Sequence, residues 1–229
     1  MDDLFSPRGL SGRTLARSDL ASLAGGAPQV VTDCDLEEAD LSGLDLTGWR
    51  FERCNLRKAD CSGTKLEGSV WQSCRAPFVS FVGANLSEAV FSGGDYNNSS
   101  WRRATLTSAK FAGTKLTGAD FAEARAMHIQ FEEVLLVSAK LPGFSFRKET
   151  LRKVDLSGAD LRKGDFRMTV FEDCSLREAM VAGSRFEGSD LRGADLSGLR
   201  LVDANLFRGA TISREQAGQL LSELGLLVR

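Results

Sequence analysis

The chain has very little of the chemistry on which most enzymes depend. Its 229 residues include one histidine, His128, and one tyrosine. There is no paired-histidine metal motif, no phosphate-binding glycine loop of the Walker or Rossmann type, and no Gly-x-Ser-x-Gly motif. His128 could act only with a residue such as Cys74, Asp120 or Glu123, and a single histidine on a turn is usually incidental. We therefore expect no enzyme activity, no catalytic residues, no cofactor and no metal.

Long hydrophobic runs and a bias in charge are also missing. No stretch approaches the roughly 18 apolar residues that a membrane span requires, and no apolar segment of the signal-peptide type opens the chain. The 31 acidic residues and 29 Lys and Arg residues give a formal net charge of −2, which is not the basic footprint of a nucleic-acid-binding protein. We expect a cytoplasmic protein that binds neither membranes nor nucleic acid directly.

What the chain has instead is an apolar residue at every fifth position from Val31 to Leu206. Leu or Phe occupies 28 of these 36 positions. The residue two places earlier is small in 27 of the 36 units from Cys34 to Gly209, and glycine recurs two places after the large residue, as at Gly43. A period of five fits neither an amphipathic helix nor a strand. Because Asp, Asn and Gly favour turns, each unit should be a short extended segment followed by a turn.

Four such units would close one coil of twenty residues, and successive coils would stack as parallel strands about 4.8 Å apart. The cysteines support this period, since Cys34, Cys54 and Cys74 are twenty residues apart and Cys174 falls in the same column. We interpret them, and Cys61, as small buried residues in a reducing compartment rather than as disulfides or metal ligands. A second column gathers bulky residues on one side of the coil: Phe51, Trp71, Phe91, Phe111, Phe131, Leu151, Phe171 and Leu191.

Units such as residues 39–43 (Ala-Asp-Leu-Ser-Gly) and 159–163 (Ala-Asp-Leu-Arg-Lys) resemble the pentapeptide-repeat proteins, whose motif is Ala-Asp/Asn-Leu/Phe-x-x. The resemblance implies an all-β fold, a right-handed quadrilateral parallel β-helix of about nine coils over residues 31–210. Right-handed crossovers are the general preference for parallel strands. At one strand spacing per coil, the rod would be roughly 43 Å long.

The two ends depart from the pattern. Residues 1–30 predict an N-terminal cap with a short strand and one or two helical turns. Residues 211–229 predict a helix in which Ser213 and Gln216 have capping-box spacing and Gly225 is the stop. Such a helix would cover the open end of the solenoid. Capping alone is one interpretation; dimerisation through this helix is the other, and the resemblance implies it as well. The candidate dimer residues are Leu220, Leu221, Leu224, Leu227 and Val228.

The motif weakens in two places while its register survives, near Ala76 and near Ala126. Apolar residues in otherwise polar faces can mark partner sites, although drift in a tolerant repeat would give the same pattern. The candidate partner-binding residues are Pro77, Phe78, Val82, Met127 and His128.

Three residues in these stretches have unusual sizes or charges for their positions. Tyr96 follows Ala76 in its column, and Phe144 lies between Ala124 and Gly164 in another, so that volume would be balanced between coils. Glu149 occupies a position that is small in most units. Because burying an unpaired carboxylate is costly, Glu149 should be exposed by a local bulge or hydrogen-bonded.

Function follows from the resemblance rather than from any single motif. Members of the Qnr and MfpA type protect DNA gyrase and topoisomerase IV from inhibitors, and imitation of duplex DNA has been proposed for some. The resemblance therefore implies a topoisomerase-binding protein that confers antibiotic resistance or self-immunity. Qnr proteins usually carry projecting loops, and the register here has none from 31 to 206. The alternative is a structural or regulatory scaffold for protein–protein interaction unrelated to gyrase. A continuous acidic face would favour DNA mimicry, and mixed charges would favour the scaffold.

Overall fold

The computed structural model describes residues 10–199, 204–223 and 225–228. Within these residues, nine short strands form one parallel sheet in which the strands follow one another in chain order. After the first pair, whose offset is 21 residues, neighbouring strands pair at an offset of twenty, as in Val31 with Phe51 and Phe51 with Trp71. The predicted parallel β-helix of about nine coils is confirmed.

The strands and helices are short because every unit ends in a turn. The strands of the main sheet are β1 (Leu10–Ser11), β2 (Val30–Thr32), β3 (Arg50–Glu52), β4 (Val70–Gln72), β5 (Val90–Ser92), β6 (Lys110–Ala112), β7 (Gln130–Glu132), β8 (Thr150–Arg152) and β9 (Val170–Glu172). The remaining elements are helix α1 (Arg17–Ala21), the parallel pair β10 (Cys174–Ser175) and β11 (Ala194–Asp195), a 3-10 helix (Ala204–Phe207) and helix α2 (Arg214–Glu223).

Each coil has four faces, which we number by the column of interior residues that each contains. Face 1 carries the main sheet, and the other faces are joined largely by single parallel bridges at the same twenty-residue offset. The rows of turns between faces are called edges, so that edge 2–3 joins face 2 to face 3. The columns of faces 1, 2, 3 and 4 begin at Val31, Leu36, Leu41 and Leu46.

The turns explain why glycine recurs two places after each large residue. At Glu38 and Gly43, which hold this position, φ is 58° and 68°. The Ala39 N–H donates to the carbonyl of Leu36 at 3.1 Å and closes the turn. A positive φ at the third residue is what a type II turn requires, and glycine adopts it without steric cost. Each coil can therefore turn four times without leaving the ladder.

Large apolar side chains fill the interior in stacked columns. In the face 1 column, the rings of Phe51 and Trp71 lie 4.2 Å apart between centroids, and those of Phe91 and Phe111 lie 4.7 Å apart with their planes at 3°. Stacked rings in successive coils bury their area against each other. The predicted aromatic column is confirmed.

The segment predicted as an N-terminal cap contains a further coil. Strand β1 pairs with β2, with Leu10 opposite Val31, and Leu10, Leu15 and Leu20 are all buried. These three leucines keep the five-residue spacing. Two further units of five would place the face 1 residue of the next coil ten positions after Leu20. That residue, Val31, comes eleven positions after Leu20, and helix α1 contains Leu20 at the start of this interval. The division of the chain at residues 30 and 210 stays a prediction.

The predicted register is wrong at the last described unit. The ring that stacks on Phe186, at 4.7 Å between centroids, belongs to Phe207 and not to the residue at the predicted interior position, Leu206. Likewise Asp190 pairs with Thr211, an offset of 21 residues. The 3-10 helix accounts for the extra residue, because it rises only about 2 Å per residue and needs more residues than a strand to cover one face. The predicted interior position Leu201 lies outside the described residues.

The expected balance between Ala76 and Tyr96 is confirmed, since both side chains are fully buried in adjacent coils. Gly94 makes room for the ring: a Cβ there would lie 3.1 Å from Tyr96 Cε2 and 2.5 Å from the Cys74 carbonyl oxygen. The Tyr96 hydroxyl has no hydrogen-bond partner in the described structure. Burial raises the pKa of this hydroxyl well above its usual value, so it stays neutral.

We predict that Tyr96→Phe stabilises the protein by about 1 kcal/mol, because it removes a buried hydroxyl that lacks a partner. Ser99→Ala, in the same coil, is the matched control. Its hydroxyl accepts from Trp101 Nε1 and donates to the Tyr96 carbonyl, both at 2.6 Å, so its loss should destabilise. Urea unfolding measures both, and a loss of stability in Tyr96→Phe would contradict the prediction.

Candidate interaction surfaces

Helix α2 closes the C-terminal end of the solenoid through hydrogen bonds. The Ser213 N–H donates to Gln216 Oε1 at 2.7 Å, and the Gln216 N–H donates to Ser213 Oγ at 3.1 Å, which confirms the predicted capping box. Gln216 Nε2 then donates to the carbonyls of Leu191 and Ala194, each at 2.7 Å. Leu191 lies on face 1 and Ala194 at edge 1–2 of the same coil, so the amide satisfies backbone groups that would otherwise form an open edge.

The apolar residues of this end divide into two groups. Leu220 is buried in the chain's own core, so it acts in the cap and presents no surface to a partner. Leu221, Leu227 and Val228 are exposed, with 87% of Leu227 accessible. Leu224 lies outside the described residues. The exposed residues, together with Leu226, form an apolar C-terminal segment of the kind that marks an interaction site.

The central candidate residues do not form one patch. Phe78 is exposed on edge 2–3, where Pro77 beside it is buried, and Val82 is half-buried on edge 3–4. Met127 and His128 are exposed on edge 4–1. Edges 2–3 and 4–1 are two turns apart around a four-sided coil and therefore lie on opposite sides of the rod. A partner that contacts Phe78 along its edge would not reach Met127.

Nor does the structure bring together the residues with catalytic potential. Cys74 is buried at edge 1–2, Asp120 lies on face 3 and Glu123 on edge 3–4, whereas His128 projects from edge 4–1. Over the described ranges, no group of three or more His, Cys, Asp or Glu side chains could hold a metal ion. None of the helices described there has the length and apolar character to cross a membrane.

The five cysteines are free and buried. In the column that was predicted from their spacing, Cys54 Sγ donates to the Val31 carbonyl and Cys74 Sγ donates to the Phe51 carbonyl, each at 3.3 Å. Burial raises the pKa of the Cys61 and Cys174 thiols, which keeps them protonated and unreactive. Packing therefore accounts for Cys61 and Cys174.

The ladder opens between β7 and β8. The other strand pairs of face 1 have three residue pairs, or two between β1 and β2, whereas β7 and β8 keep only Glu132 with Arg152. Among the described residues, the Thr150 N–H lacks the bond to the preceding coil that the Gln130 N–H makes to the Ala109 carbonyl at 2.9 Å. A cleft of 380 Å³ results, lined by residues 129–132 and 148–152. Glu149 is exposed at this cleft, as expected.

Three misfits of size or charge coincide with the opening. Ala126 fills little of its interior position and is only partly buried, while Phe144 and Glu149 occupy positions that small residues hold elsewhere. Phe144 is nevertheless buried, and Gly164 follows it in its column, where a Cβ would lie 3.3 Å from the Phe144 carbonyl oxygen. No neighbouring residue compensates for the size and charge of Glu149, and the pairing between β7 and β8 is lost beside it.

We predict that Glu149→Ala closes the ladder, because it restores a small residue where most units have one. Hydrogen exchange at the Thr150 amide should slow, since that group would regain a carbonyl partner. Glu132→Ala is the matched control: it removes a carboxylate from the same cleft at the end of β7, keeps Glu149, and should leave the exchange rate unchanged. Equal exchange rates in wild type and Glu149→Ala would show that Glu149 is not the cause.

Outward charges pair between coils because residues twenty apart lie one coil apart. Arg53 Nη2 lies 2.7 Å from Asp33 Oδ2, and Lys153 Nζ lies 2.6 Å from Glu133 Oε1. The same spacing gives Lys58–Glu38 at 2.7 Å, Lys65–Asp45 at 3.1 Å and Arg152–Glu172 at 2.7 Å. Much of the acidic surface is thus neutralised within the rod.

A second kind of pair lies within one unit. Arg162 binds Asp160 and Arg167 binds Asp165, each at 2.7 Å, and these hydrogen bonds hold the pKa of the two buried carboxyls below its usual value. A lowered pKa contributes stability above about pH 4, and this is lost as the pH falls through the lowered value. These aspartates are therefore structural.

The column of outward residues on face 3 mixes acidic, basic and uncharged residues. It begins with aspartates but is broken by serines, by Lys140 and by Met180, so it is not a continuous acidic face. Along the described part of face 3 the column reads Asp40, Asp60, Ser80, Ser100, Asp120, Lys140, Asp160 and Met180.

Comparison with known families identifies the fold class. A model described as a pentapeptide repeat region matches residues 44–121, and one described as pentapeptide repeats (8 copies) matches residues 129–167 and 169–206. Together they cover more than half of the chain, which therefore belongs to the pentapeptide-repeat proteins. The interval between the two matches, residues 122–128, contains Ala126 and adjoins the open part of the ladder.

Solved structures share this fold. A trypsin-treated form of QnrB1, a plasmid-mediated fluoroquinolone resistance protein, matches with a TM-score of 0.69 at 20% identity over 95% of this chain and 100% of that chain. HetL, a pentapeptide repeat protein involved in heterocyst differentiation regulation from the cyanobacterium Nostoc sp. strain PCC 7120, matches with a TM-score of 0.56 at 20% identity over 88% and 84%. At this identity the likeness shows the fold alone. No curated protein sequence gives a significant match.

Proposed function

We propose that this protein is a non-enzymatic, cytoplasmic binding protein whose partner is a type II topoisomerase, DNA gyrase or topoisomerase IV, and that it protects the enzyme from a topoisomerase poison. One observation carries the proposal: the rod is similar to a fluoroquinolone resistance protein over 95% of its own length and all of the other's. Side chains with catalytic potential lie on separate faces and edges, which favours binding over chemistry.

The charges favour protein contact over DNA mimicry. A DNA mimic needs an extended negative field to compete for a basic DNA-binding surface. Here half of the carboxylates in the described residues are paired with Lys or Arg of the same or the adjacent coil, as at Asp33–Arg53 and Asp165–Arg167. We therefore propose that the protein reaches the topoisomerase through contacts that do not depend on a continuous acidic face.

A supercoiling assay tests the proposal. Purified DNA gyrase is inhibited by a fluoroquinolone with and without this protein at micromolar concentration, and serum albumin at the same concentration is the control. We expect the protein, and not albumin, to restore supercoiling. If the protein neither rescues gyrase from the drug nor inhibits it, the topoisomerase is excluded as partner.

The second candidate function is a regulatory or structural scaffold for other proteins. The mixed surface charges favour it, because they leave no field directed at one kind of partner. The fold likeness to HetL, whose role is in the regulation of differentiation, is compatible with it. The supercoiling assay separates the two candidates, since a scaffold for other proteins would leave gyrase unaffected.

We further propose that the protein forms a homodimer through its C-terminal segment. Leu221, Leu226, Leu227 and Val228 are exposed beyond the part of α2 that caps the coil. A contiguous apolar segment at one end of a rod is most simply covered by the same segment of a second copy, since identical surfaces associate in twofold dimers.

We predict that the double substitution Leu221→Asp and Leu227→Asp gives monomers, because it places charges in an apolar interface. Leu135→Asp is the control. Leu135 is 40% exposed and Leu221 is 41% exposed, but Leu135 lies on face 2, away from the end. Light scattering measures the mass. A dimer that survives the double substitution would place the interface elsewhere.

A further inference from the structure

Edge 2–3 carries no charged residue over five consecutive turns. These turns span four coil spacings, roughly 19 Å, in a chain of which 26% is charged. On edge 4–1, by comparison, residues 147 and 148 are Arg and Lys, and residues 67, 88, 167 and 187 are also charged. The turn residues of the uncharged edge are Pro77, Phe78, Asn97, Asn98, Thr117, Gly118, Val137, Ser138, Ser157 and Gly158.

Ion pairs mark both ends of this uncharged edge. Before it, Lys58 Nζ lies 2.7 Å from Glu38 Oε1. After it, Arg177 Nε lies 3.5 Å from Glu178 Oε1. Protein interfaces have this arrangement, with charged groups depleted at the centre and polar groups at the rim.

Phe78 is an aromatic side chain kept at two energetic costs. Its backbone has φ of 62°, a conformation that glycine adopts freely and that costs a bulky residue about 1 kcal/mol. Its ring is 54% exposed, and it is the only exposed aromatic side chain among the residues the structure describes. The positive φ belongs to the turn, as it does at the equivalent turns of other coils, whereas the exposed ring does not serve folding. A strained residue with an exposed ring is instead suited to filling a partner's pocket.

The uncharged edge is also rigid. Its turns are bonded in series, so the ring of Phe78 projects from a fixed base, and the buried Pro77 before it restricts the backbone further. Preorganised residues lose little entropy on binding. The bonds that join the five turns run from the Phe78 N–H to the Asn97 carbonyl at 2.9 Å, then from Asn98 to Thr117, Gly118 to Val137, and Ser138 to Ser157, each at 2.8 Å.

We propose that edge 2–3 is the surface that binds the topoisomerase, with Phe78 inserted in an apolar pocket whose surroundings are uncharged. The proposal rests on the proposed function and names the surface that performs it. The chemistry of the partner surface follows from the edge itself: a charged partner group would lose its water here and find no opposite charge among the turn residues, which is unfavourable. The contacted part of the topoisomerase is therefore not its basic DNA-binding surface.

Binding of purified DNA gyrase to immobilised protein tests this assignment. We expect Phe78→Ser to weaken binding at least about tenfold, as for an aromatic anchor. Met168→Ser is a closely matched control: Met168 is 55% exposed and has φ of 59°, but it lies on edge 4–1. Binding by Met168→Ser should match wild type. Affinity should change little with salt, whereas a DNA mimic would lose affinity steeply.

The outcomes separate the two proposals. Binding by wild type that Phe78→Ser leaves unchanged would overturn the uncharged edge as the surface and leave the topoisomerase as partner. Absence of binding by wild type would overturn both. Equal losses in Phe78→Ser and Met168→Ser would show a general effect of surface changes and would also reject the edge. A steep salt dependence would assign binding to charged faces instead.

Discussion

The whole solenoid depends on a backbone that turns with positive φ once in every five residues. Gly43 adopts this conformation without steric cost, whereas Glu38 and Phe78 adopt it against the preference of L-residues. Twenty non-glycine residues in the described structure do so. What holds them is the ladder, because each turn also donates to the next coil, as the Glu38 N–H does to the Arg57 carbonyl at 2.9 Å. Turn and ladder therefore support each other, and neither would persist alone.

The second constraint is the volume of the interior side chains. A residue that is too small or too large can be compensated only by a residue of an adjacent coil. Ala76 beneath Tyr96 leaves the ladder intact, because the large ring fills the space above the small residue and Gly94 makes room at the corner. Ala126 also has a buried ring, that of Phe146, in the next coil of its column, but Phe144 and Glu149 place bulk and charge at the corners there. The ladder opens there and closes again at Arg152. A solenoid core is shared between layers, so a misfit can be corrected only by the coil next to it.

The interior could be predicted from the sequence because the period of five leaves each residue one orientation. The same reasoning failed where the period is interrupted. Leu15 and Leu20 are five residues apart and belong to the N-terminal coil. The interval of eleven residues after Leu20 breaks the period, so this coil was not predicted. Phe207 takes the interior position predicted for Leu206 because the 3-10 helix advances less per residue than a strand. The five-residue period does not reveal such a helix. The placement of Phe78 and Met127 on opposite edges could have been predicted from the four-sided coil. Counting the turns between the two residues is sufficient.

The period that stacks the core also arranges the surface. Residues twenty apart face outward one above the other, so an acidic residue meets whatever the next coil places there, and in this chain that is often Lys or Arg, as at Glu133 with Lys153. Pairing of this kind supports the ladder but removes the long-range field by which charges would select a partner. Recognition is then left to shape and to apolar contact. An uncharged edge with one fixed aromatic ring offers both, and it does so on a backbone that the ladder holds rigid.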